Sequence, residues 1–306
     1  MAHIPDGFLS PAVIAGTSAL SAAALTVAAR RSRAQLRDRQ APLLGAATAF
    51  VFAAQMLSFP LGAGTSAHLL GGVLLAAVAG PWAAMIALFS VLLVQALLFQ
   101  DGGIAALGAN TLNLAVVGGG GGYLLYRWQL DLFGHGFRRR TTAAAVAAFL
   151  SAILTGVAVA AQLALSGMVP LRAALLAVGG AHIAVGLTEA TITAGILATA
   201  LRSRPDLITA PAAPSTRRRW VVGTVTAALL VGLCGAGFAS DLPDALASAT
   251  TRLGIGGGAV AGIPAAAARY AAPLGGAWLA AAIGVLLVFG LAWAVFRLGG
   301  RSDTAA

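Results

Sequence analysis

The chain has 306 residues, of which 59% are hydrophobic and 9% charged, with a mean hydropathy of +0.91. Because soluble domains carry about 25% charged residues, this composition predicts an integral membrane protein. All 19 basic residues are arginines, so the chain lacks the lysine of a phosphate-binding loop. The arginines cluster near span ends and therefore do not indicate nucleic-acid binding. The single cysteine excludes an internal disulfide bond and a cysteine-based metal cluster.

The first residues contain closely spaced candidate metal ligands. An amino terminus, a peptide nitrogen and the His3 imidazole suit Ni(II), Cu(II) or Co(II). If Met1 is kept, this strand can supply four nitrogens. If Met1 is removed, as a small Ala2 favours, the Ala2 amine and the amide and imidazole of His3 supply three, and His68 completes a square. We favour the second arrangement because it uses both histidines expected on the outside.

No basic segment precedes the first apolar run, so a signal peptide is not expected.

Apolar runs of about 20 residues, the length needed to cross a bilayer, recur along the chain. They predict spans at 11–29, 42–61, 82–100, 104–126, 142–166, 174–200, 220–238 and 274–297. The shorter stretch 69–79 is interpreted as a short helix or a re-entrant segment, and counting it gives nine spans.

The arginines predict the orientation of these spans. With the N-terminus outside, all arginines except Arg172, Arg252 and Arg269 fall on the inner side, as the positive-inside rule requires. The C-terminus is then cytoplasmic.

A Pro- and Ala-rich stretch at 205–216 predicts a domain boundary. The expected organisation is a metal-binding transmembrane domain at 1–201, a cytoplasmic linker at 202–219 and a two-span domain at 220–306. An outside loop at 239–273 joins the last two spans.

Polar side chains within the predicted spans gather in their outer halves. Such residues are costly in a membrane and therefore indicate a role. We expect them to hydrogen-bond the ligating imidazoles and the N-terminal backbone, with bonds between helices and no ligand as the alternative. They are Gln55, Ser58, Gln95, Asn110, Asn113 and His182.

Two further features of the spans are singled out. Glu189 is the only acidic residue in a predicted span, and we interpret it as a structural acceptor, with a proton site or part of a metal path as alternatives. Small residues at four-residue spacing in the first helix predict a face that a partner helix can approach closely. They are Ala15, Ala19 and Ala23.

Several motifs recur in order over residues 1–200: HIPDGFLS from His3, GTSAHLLGG from Gly64, GPW from Gly80, QALLFQDGG from Gln95, GAN from Gly108, and the stretch from His182 to Glu189. Together they resemble the cobalt/nickel substrate-capture (S) subunits of energy-coupling-factor transporters, the CbiM/NikM family. The resemblance implies an all-α, seven-helix membrane bundle. It also implies Ni(II) or Co(II) as transported substrate, held by the terminal amine, the His3 amide and imidazole, and His68.

The tail at 217–306 resembles the two-helix accessory subunit of these transporters, of the PDGLE or NikN/CbiN type. Its loop keeps Pro243 and Asp244, whereas Ala245 and Ala247 stand where that motif has Gly and Glu. The resemblance implies a prokaryotic cell membrane, a transmembrane coupling (T) subunit and cytoplasmic ATPases as partners, and no bound organic cofactor. One departure is that Ala2 separates Met1 from His3, and loss of Met1 restores the family spacing.

The function expected from these features is capture and translocation of Ni(II) or Co(II) as the permease subunit of an ATP-driven importer. A stand-alone secondary metal transporter is the alternative, although it would want polar residues through the full depth of the bundle. An intramembrane metalloenzyme is not expected, because the chain has no His-Glu-x-x-His motif.

Overall fold

The computed structural model describes residues 3–35, 41–62, 65–203, 214–238, 245–253 and 276–299. Met1, Ala2 and most of the predicted outside loop lie outside these ranges. Within them the chain is mostly helical, as the composition predicted.

The first two thirds of the chain contain α1 Pro11–Gln35, α2 Ala41–Met56, α3 Gly72–Ala79, α4 Pro81–Val94, α5 Leu107–Asn110, α6 Gly122–Phe133, α7 Phe137–Leu165, α8 Leu171–Ala174 and α9 Gly180–Ser203. Three π-helical segments extend or join these helices: π1 Gln95–Phe99, π2 Thr111–Gly121 and π3 Leu175–Gly179. The last third adds α10 Pro214–Phe238, α11 Ala245–Arg252 and α12 Ala277–Gly299.

The prediction of a helical span at 42–61 was wrong at its C-terminal end. Helix α2 stops at Met56, and strand β1, Phe59–Gly62, pairs antiparallel with strand β2, Thr65–Ala67. Pro60 accounts for the break, because it has no N–H to donate and disfavours helical backbone in the residue before it. The bundle therefore carries a small β-hairpin, and the description all-α holds only for the rest of the described chain.

The segment 69–79 forms the short helix α3. Its eight residues extend only about 12 Å, less than half of the bilayer's hydrocarbon thickness. Gly80 ends α3 with a φ of +82°, and Pro81 opens α4, where its missing N–H costs nothing.

Five helical stretches in the described residues are long and apolar enough to cross a membrane: Pro11–Arg33, Pro81–Phe99, Phe137–Leu165, Leu171–Ser203 and Leu279–Leu298. Helix α2 is apolar but shorter. The number of nine spans and the orientation with the N-terminus outside stay predictions.

The C-terminal helices pack on the N-terminal bundle. Both α10 and α12 contact α2 and each other, and Phe52 of α2 lies in one cluster with Ala228 and Val285. Helix α9 runs to Ser203 and α10 begins at Pro214, so helix occupies both ends of the predicted linker. The domain boundary itself stays a prediction.

Candidate metal centre

The connection after the hairpin carries His68 into the interior. It spans 68–71, between the end of β2 and the start of α3, and the His68 side chain is 2% exposed. His68 Nδ1 lies 2.7 Å from the carbonyl oxygen of Leu69. Because a carbonyl only accepts, this contact places the proton on Nδ1 and leaves the lone pair on Nε2.

The N-terminal strand is held by reciprocal bonds to Asn110. The Ile4 N–H donates to Asn110 Oδ1 at 2.7 Å, and Asn110 Nδ2 donates to the Ile4 carbonyl at 3.0 Å. The N–H of Gly103 donates to the same carbonyl at 2.9 Å. Asn110 therefore binds the backbone of the N-terminal segment, and its role beside a metal ion stays a prediction.

Asp6 fixes the other end of this strand. Its carboxylate accepts the N–H groups of Ile104 and Ala106 at 3.0 and 3.1 Å. Gly102 allows the turn to approach Asn110 and His3 closely, because glycine has no side chain. It has a φ of +95°, and a Cβ there would lie 3.0 Å from Asn110 Nδ2 and 3.5 Å from His3 Cβ. Residues 3–6 thus have a defined seat on the turn at 100–106.

The docked strand places His3 beside His68. The two ring centroids are 5.4 Å apart, and His3 is 3% exposed. His3 Nδ1 lies 3.0 Å from Asp101 Oδ1, while the Nε2 atoms of His3 and His68 are buried with no hydrogen-bond partner among the described residues. At metal–nitrogen distances of about 2.0 Å, rings at this separation can bind one ion.

Charge in the site favours a cation. Burial lowers the pKa of His68 to about 3, so its imidazole is neutral at pH 7 and able to coordinate. Burial by itself would raise the pKa of Asp101. The neighbouring His3 ring and its hydrogen bond to Asp101 outweigh that effect, so the pKa of this carboxyl lies below its ordinary value. A partly buried carboxylate therefore lies beside two buried imidazoles.

Three polar side chains hold the connection that carries His68. Gln55 Nε2 donates to the Leu70 carbonyl at 2.8 Å, and Gln95 Nε2 donates to Gln55 Oε1 at 3.0 Å. The carboxylate of Glu189 accepts the N–H groups of Leu70 and Gly71. Glu189 therefore accepts two backbone hydrogen bonds from this connection, and its role as a structural acceptor stays a prediction.

The other predicted polar residues lie in different surroundings. Asn113 and Gln162 exchange two hydrogen bonds, at 2.9 and 2.7 Å, which join π2 to α7. His182 Nδ1 lies 2.8 Å from the Val178 carbonyl, and its ring packs against Gly156. Ser58 is half-buried just before β1. The bonds of Asn113 are of the helix-to-helix kind considered as the alternative.

No group of three or more His, Cys, Asp or Glu side chains in the described ranges could hold a metal ion. Further ligands at the histidine pair therefore have to come from backbone groups or from the chain terminus, which lies outside those ranges. If one ion binds both the amide and the imidazole of His3, the imidazole must use Nδ1, because Nε2 lies too far around the ring. In the structure Nδ1 is hydrogen-bonded to Asp101, and Nε2 is the nitrogen that has no partner among the described residues.

The family of cobalt uptake substrate-specific transmembrane regions, CbiM, matches residues 3–207. The chain belongs to the CbiM family.

Similar proteins agree with this membership. A putative metal transport protein of Haloquadratum walsbyi is 39% identical over 67% of this chain and 93% of its own length. The fused nickel transport protein NikMN of Rhodobacter capsulatus is 37% identical over 78% of this chain and 74% of its own length. A crystal structure described as a truncated transition metal transporter has 35% identity and a TM-score of 0.60, covering 66% of this chain and 99% of that one.

Membership in CbiM, together with the apolar helices, makes the chain a multi-pass protein of a prokaryotic plasma membrane from a family of cobalt and nickel transport proteins.

Within this CbiM chain, Ala15, Ala19 and Ala23 are exposed on α1. Their predicted role as a partner face stays a prediction.

Sequence reasoning missed three residues of this CbiM chain, two at the candidate site and one outside it. Asp101 bonds His3, Asp6 binds the turn at 104–106, and Gln162 pairs with Asn113. Asp101 carried a usable signal, since it is an acidic residue in a Gln-Asp-Gly-Gly sequence directly after a predicted span. Gln162 lies near the end of an Ala-rich run, where no local pattern points to its partner.

Proposed function

We propose that this chain captures Ni(II) or Co(II) through the Ala2 amine, after removal of Met1, together with His3 and His68. It would then act as the substrate-binding permease subunit of an ATP-driven energy-coupling-factor importer. The observation that carries the proposal is the buried imidazole pair, in which neither Nε2 has a hydrogen-bond partner in the described ranges.

The energetics of the pair support a guest ion. A buried polar atom without a partner costs about 1–3 kcal/mol, and this site holds two of them side by side. Coordination of one ion would satisfy both nitrogens. Asp101, bonded to His3, would orient that ring and add negative charge, as carboxylates behind metal-bound histidines do.

The nature of the cargo rests on the ligand chemistry and on the relatives. Nitrogen donors suit Ni(II) and Co(II). Relatives are named as a fused nickel transport protein in Rhodobacter capsulatus and as the cobalt transport protein CbiM in Clostridium tetani. We infer the same cargo class for this chain, without a bound organic cofactor.

The C-terminal region is proposed to be the accessory domain. Its helix α11 contacts β2 and π3, and Leu246 and Ala249 are buried in one cluster with Ile4 and Ala67. Through these contacts α11 would help to hold the docked N-terminal strand. Leu246→Asn should therefore weaken Ni(II) binding, and unchanged binding would restrict the region to a role in assembly.

Removal of His68 tests the metal site. In purified protein, His68→Ala should lower Ni(II) affinity about 100-fold or more by titration calorimetry, because it deletes one of the two imidazoles proposed to bind the ion. His135→Ala is the matched control, since His135 is exposed in a loop and should leave the titration unchanged. Equal affinities of His68→Ala and the unaltered protein would remove His68 from the ligand set.

Extension of the terminus tests the amine. A glycine inserted before Ala2 moves the amine away from His3 and should abolish Ni(II) uptake by cells. Mass determination of the purified chain shows whether Met1 has been removed. Full uptake by a chain whose extended terminus is confirmed by mass would exclude the arrangement in which the Ala2 amine is a ligand.

Energy coupling is tested by reconstitution. Uptake of Ni(II) into vesicles should require a coupling subunit, ATPase subunits and ATP, because the chain has no lysine for a phosphate-binding loop. Sustained accumulation by the chain alone would favour a secondary transporter.

A further inference from the structure

Glu189 makes two backbone hydrogen bonds next to the proposed metal centre. The side chain lies on α9 and is 3% exposed. Oε1 accepts the N–H of Leu70, and Oε2 accepts the N–H of Gly71 at 3.3 Å. These donors directly precede α3, so the carboxylate also faces the N-terminal end of a helix, where a negative charge is favoured.

The same segment is held from the other side. Gln55 on α2 donates to the Leu70 carbonyl at 2.8 Å, and Gln95 of π1 donates to Gln55 at 3.0 Å. Leu70 therefore has both backbone groups bonded to buried side chains from different helices, two residues after His68.

Gly71 leaves this segment little freedom. Its φ is +73°, which favours glycine, and a Cβ there would lie 2.7 Å from Val51 Cγ1. The backbone that follows His68 is thus fixed by side chains of α2 and α9 and by close contact with Val51.

We propose that Glu189 is a positioning residue for the metal centre. By holding Leu70 and Gly71, it sets the place of the His68 imidazole relative to His3 and makes metal affinity depend on the position of α9. This inference rests on the proposed function. A role as a proton site or as a step in a metal path would require a carboxylate oxygen that faces a cavity. Here each carboxylate oxygen of Glu189 accepts a backbone N–H.

The test is Ni(II) binding by Glu189→Gln, purified as the full chain in detergent. Glutamine has nearly the same shape but presents an NH2 group to one of the two N–H donors, so one bond is lost. The expected loss of Ni(II) affinity is about 10- to 100-fold, as for other residues that orient metal ligands. The visible absorption of the Ni(II)-saturated protein should stay the same, because the ligands themselves are unchanged.

Thr193→Val is the matched control. Thr193 lies one turn further along α9 and is fully buried, and its Oγ1 has no hydrogen-bond partner in the described part of the chain. This variant should bind Ni(II) like the unaltered protein. An equal loss of affinity in Thr193→Val would show that α9 packing in general is responsible and would overturn the proposal.

A double-mutant cycle with Gln55→Leu makes the test independent of overall stability. Both side chains act through Leu70, so the loss in Glu189→Gln, Gln55→Leu should be smaller than the product of the single losses. Multiplicative losses, an altered Ni(II) spectrum or unchanged affinity of Glu189→Gln would each overturn the positioning role. His68→Ala distinguishes failure of the proposed function from failure of this inference. Normal Ni(II) binding by His68→Ala contradicts the proposed function. Loss of Ni(II) binding in His68→Ala together with normal binding by Glu189→Gln contradicts only the positioning role of Glu189.

Discussion

The protein buries two polar pairs that differ in one respect. Asn113 and Gln162 exchange hydrogen bonds of 2.9 and 2.7 Å, so each amide satisfies the other. His3 and His68 lie side by side, but the Nε2 atoms of both have no partner in the described ranges. The first pair joins two helices, whereas the second leaves two buried nitrogens without a partner in those ranges.

The difference shows that burial of polar groups does not by itself indicate a binding site. Most buried polar atoms in proteins are hydrogen-bonded, so an unsatisfied pair requires an explanation. Such a pair persists only if the surroundings hold it in place. Here Asn110 holds the strand with His3, Asp101 holds the ring, and Glu189 holds the backbone after His68.

Removal of the His3 imidazole should have the largest effect, which is measured as the stabilisation of the protein by Ni(II). Ni(II) at 100 times its Kd should stabilise the unaltered protein by about 2.7 kcal/mol, because the ion binds the folded state. In His3→Ala that gain should disappear, as measured by thermal unfolding with and without Ni(II). Asn113→Leu should keep the gain, and an equal gain in His3→Ala would contradict a ligand role for the pair.

Asp101→Asn should have the next largest effect. Asparagine offers a neutral oxygen in place of the carboxylate, so the His3 ring is less firmly oriented and the negative charge is lost. Ni(II) affinity by calorimetry should fall about 10- to 100-fold. Tighter binding would show instead that Asp101 competes with the ion for His3 Nδ1, and that the ion binds the amide and Nδ1 of His3 together.

Substitutions in the Asn113–Gln162 pair should change the stability of the protein but not its Ni(II) affinity. Asn113→Leu leaves Gln162 buried without its partner and should lower the free energy of unfolding by about 1–3 kcal/mol. Adding Gln162→Leu should restore much of this loss, because no unpaired amide remains. Chemical denaturation measures the stability and calorimetry the Ni(II) affinity, which should stay unchanged. A loss of Ni(II) binding would mean that the two pairs are coupled.

The smallest effect is expected on the exposed face of α1. Ala19→Leu should change the stability of the isolated chain by less than about 0.5 kcal/mol, since the side chain is exposed. It should nevertheless reduce co-purification with the coupling subunit, because a larger side chain keeps a partner helix away. Ala294→Leu, on the exposed side of α12, is the control. Equal recovery of the complex with both variants would exclude this face.

Much of the helical structure of the described residues could be predicted, because long apolar runs have few alternatives to a helix. The exception was the region after Met56, where an apolar run continues through Pro60 and the structure forms a hairpin. Hydropathy is the same for an apolar helix and an apolar strand, so composition could not separate them. The pairing of β1 with β2 depended on a local proline and on the register of the hairpin.

The sequence by itself determined that the chain is a membrane protein and that His3 and His68 are ligand candidates, because hydropathy and ligand chemistry are properties of the residues. Only the tertiary structure decided which nitrogens of the pair lack a partner in the described part of the chain, and which residues hold the two rings. The reason is distance along the chain. His3 is bonded to a residue 98 positions away, and Leu70 to a residue 119 positions away, and no local pattern in the sequence records such partners.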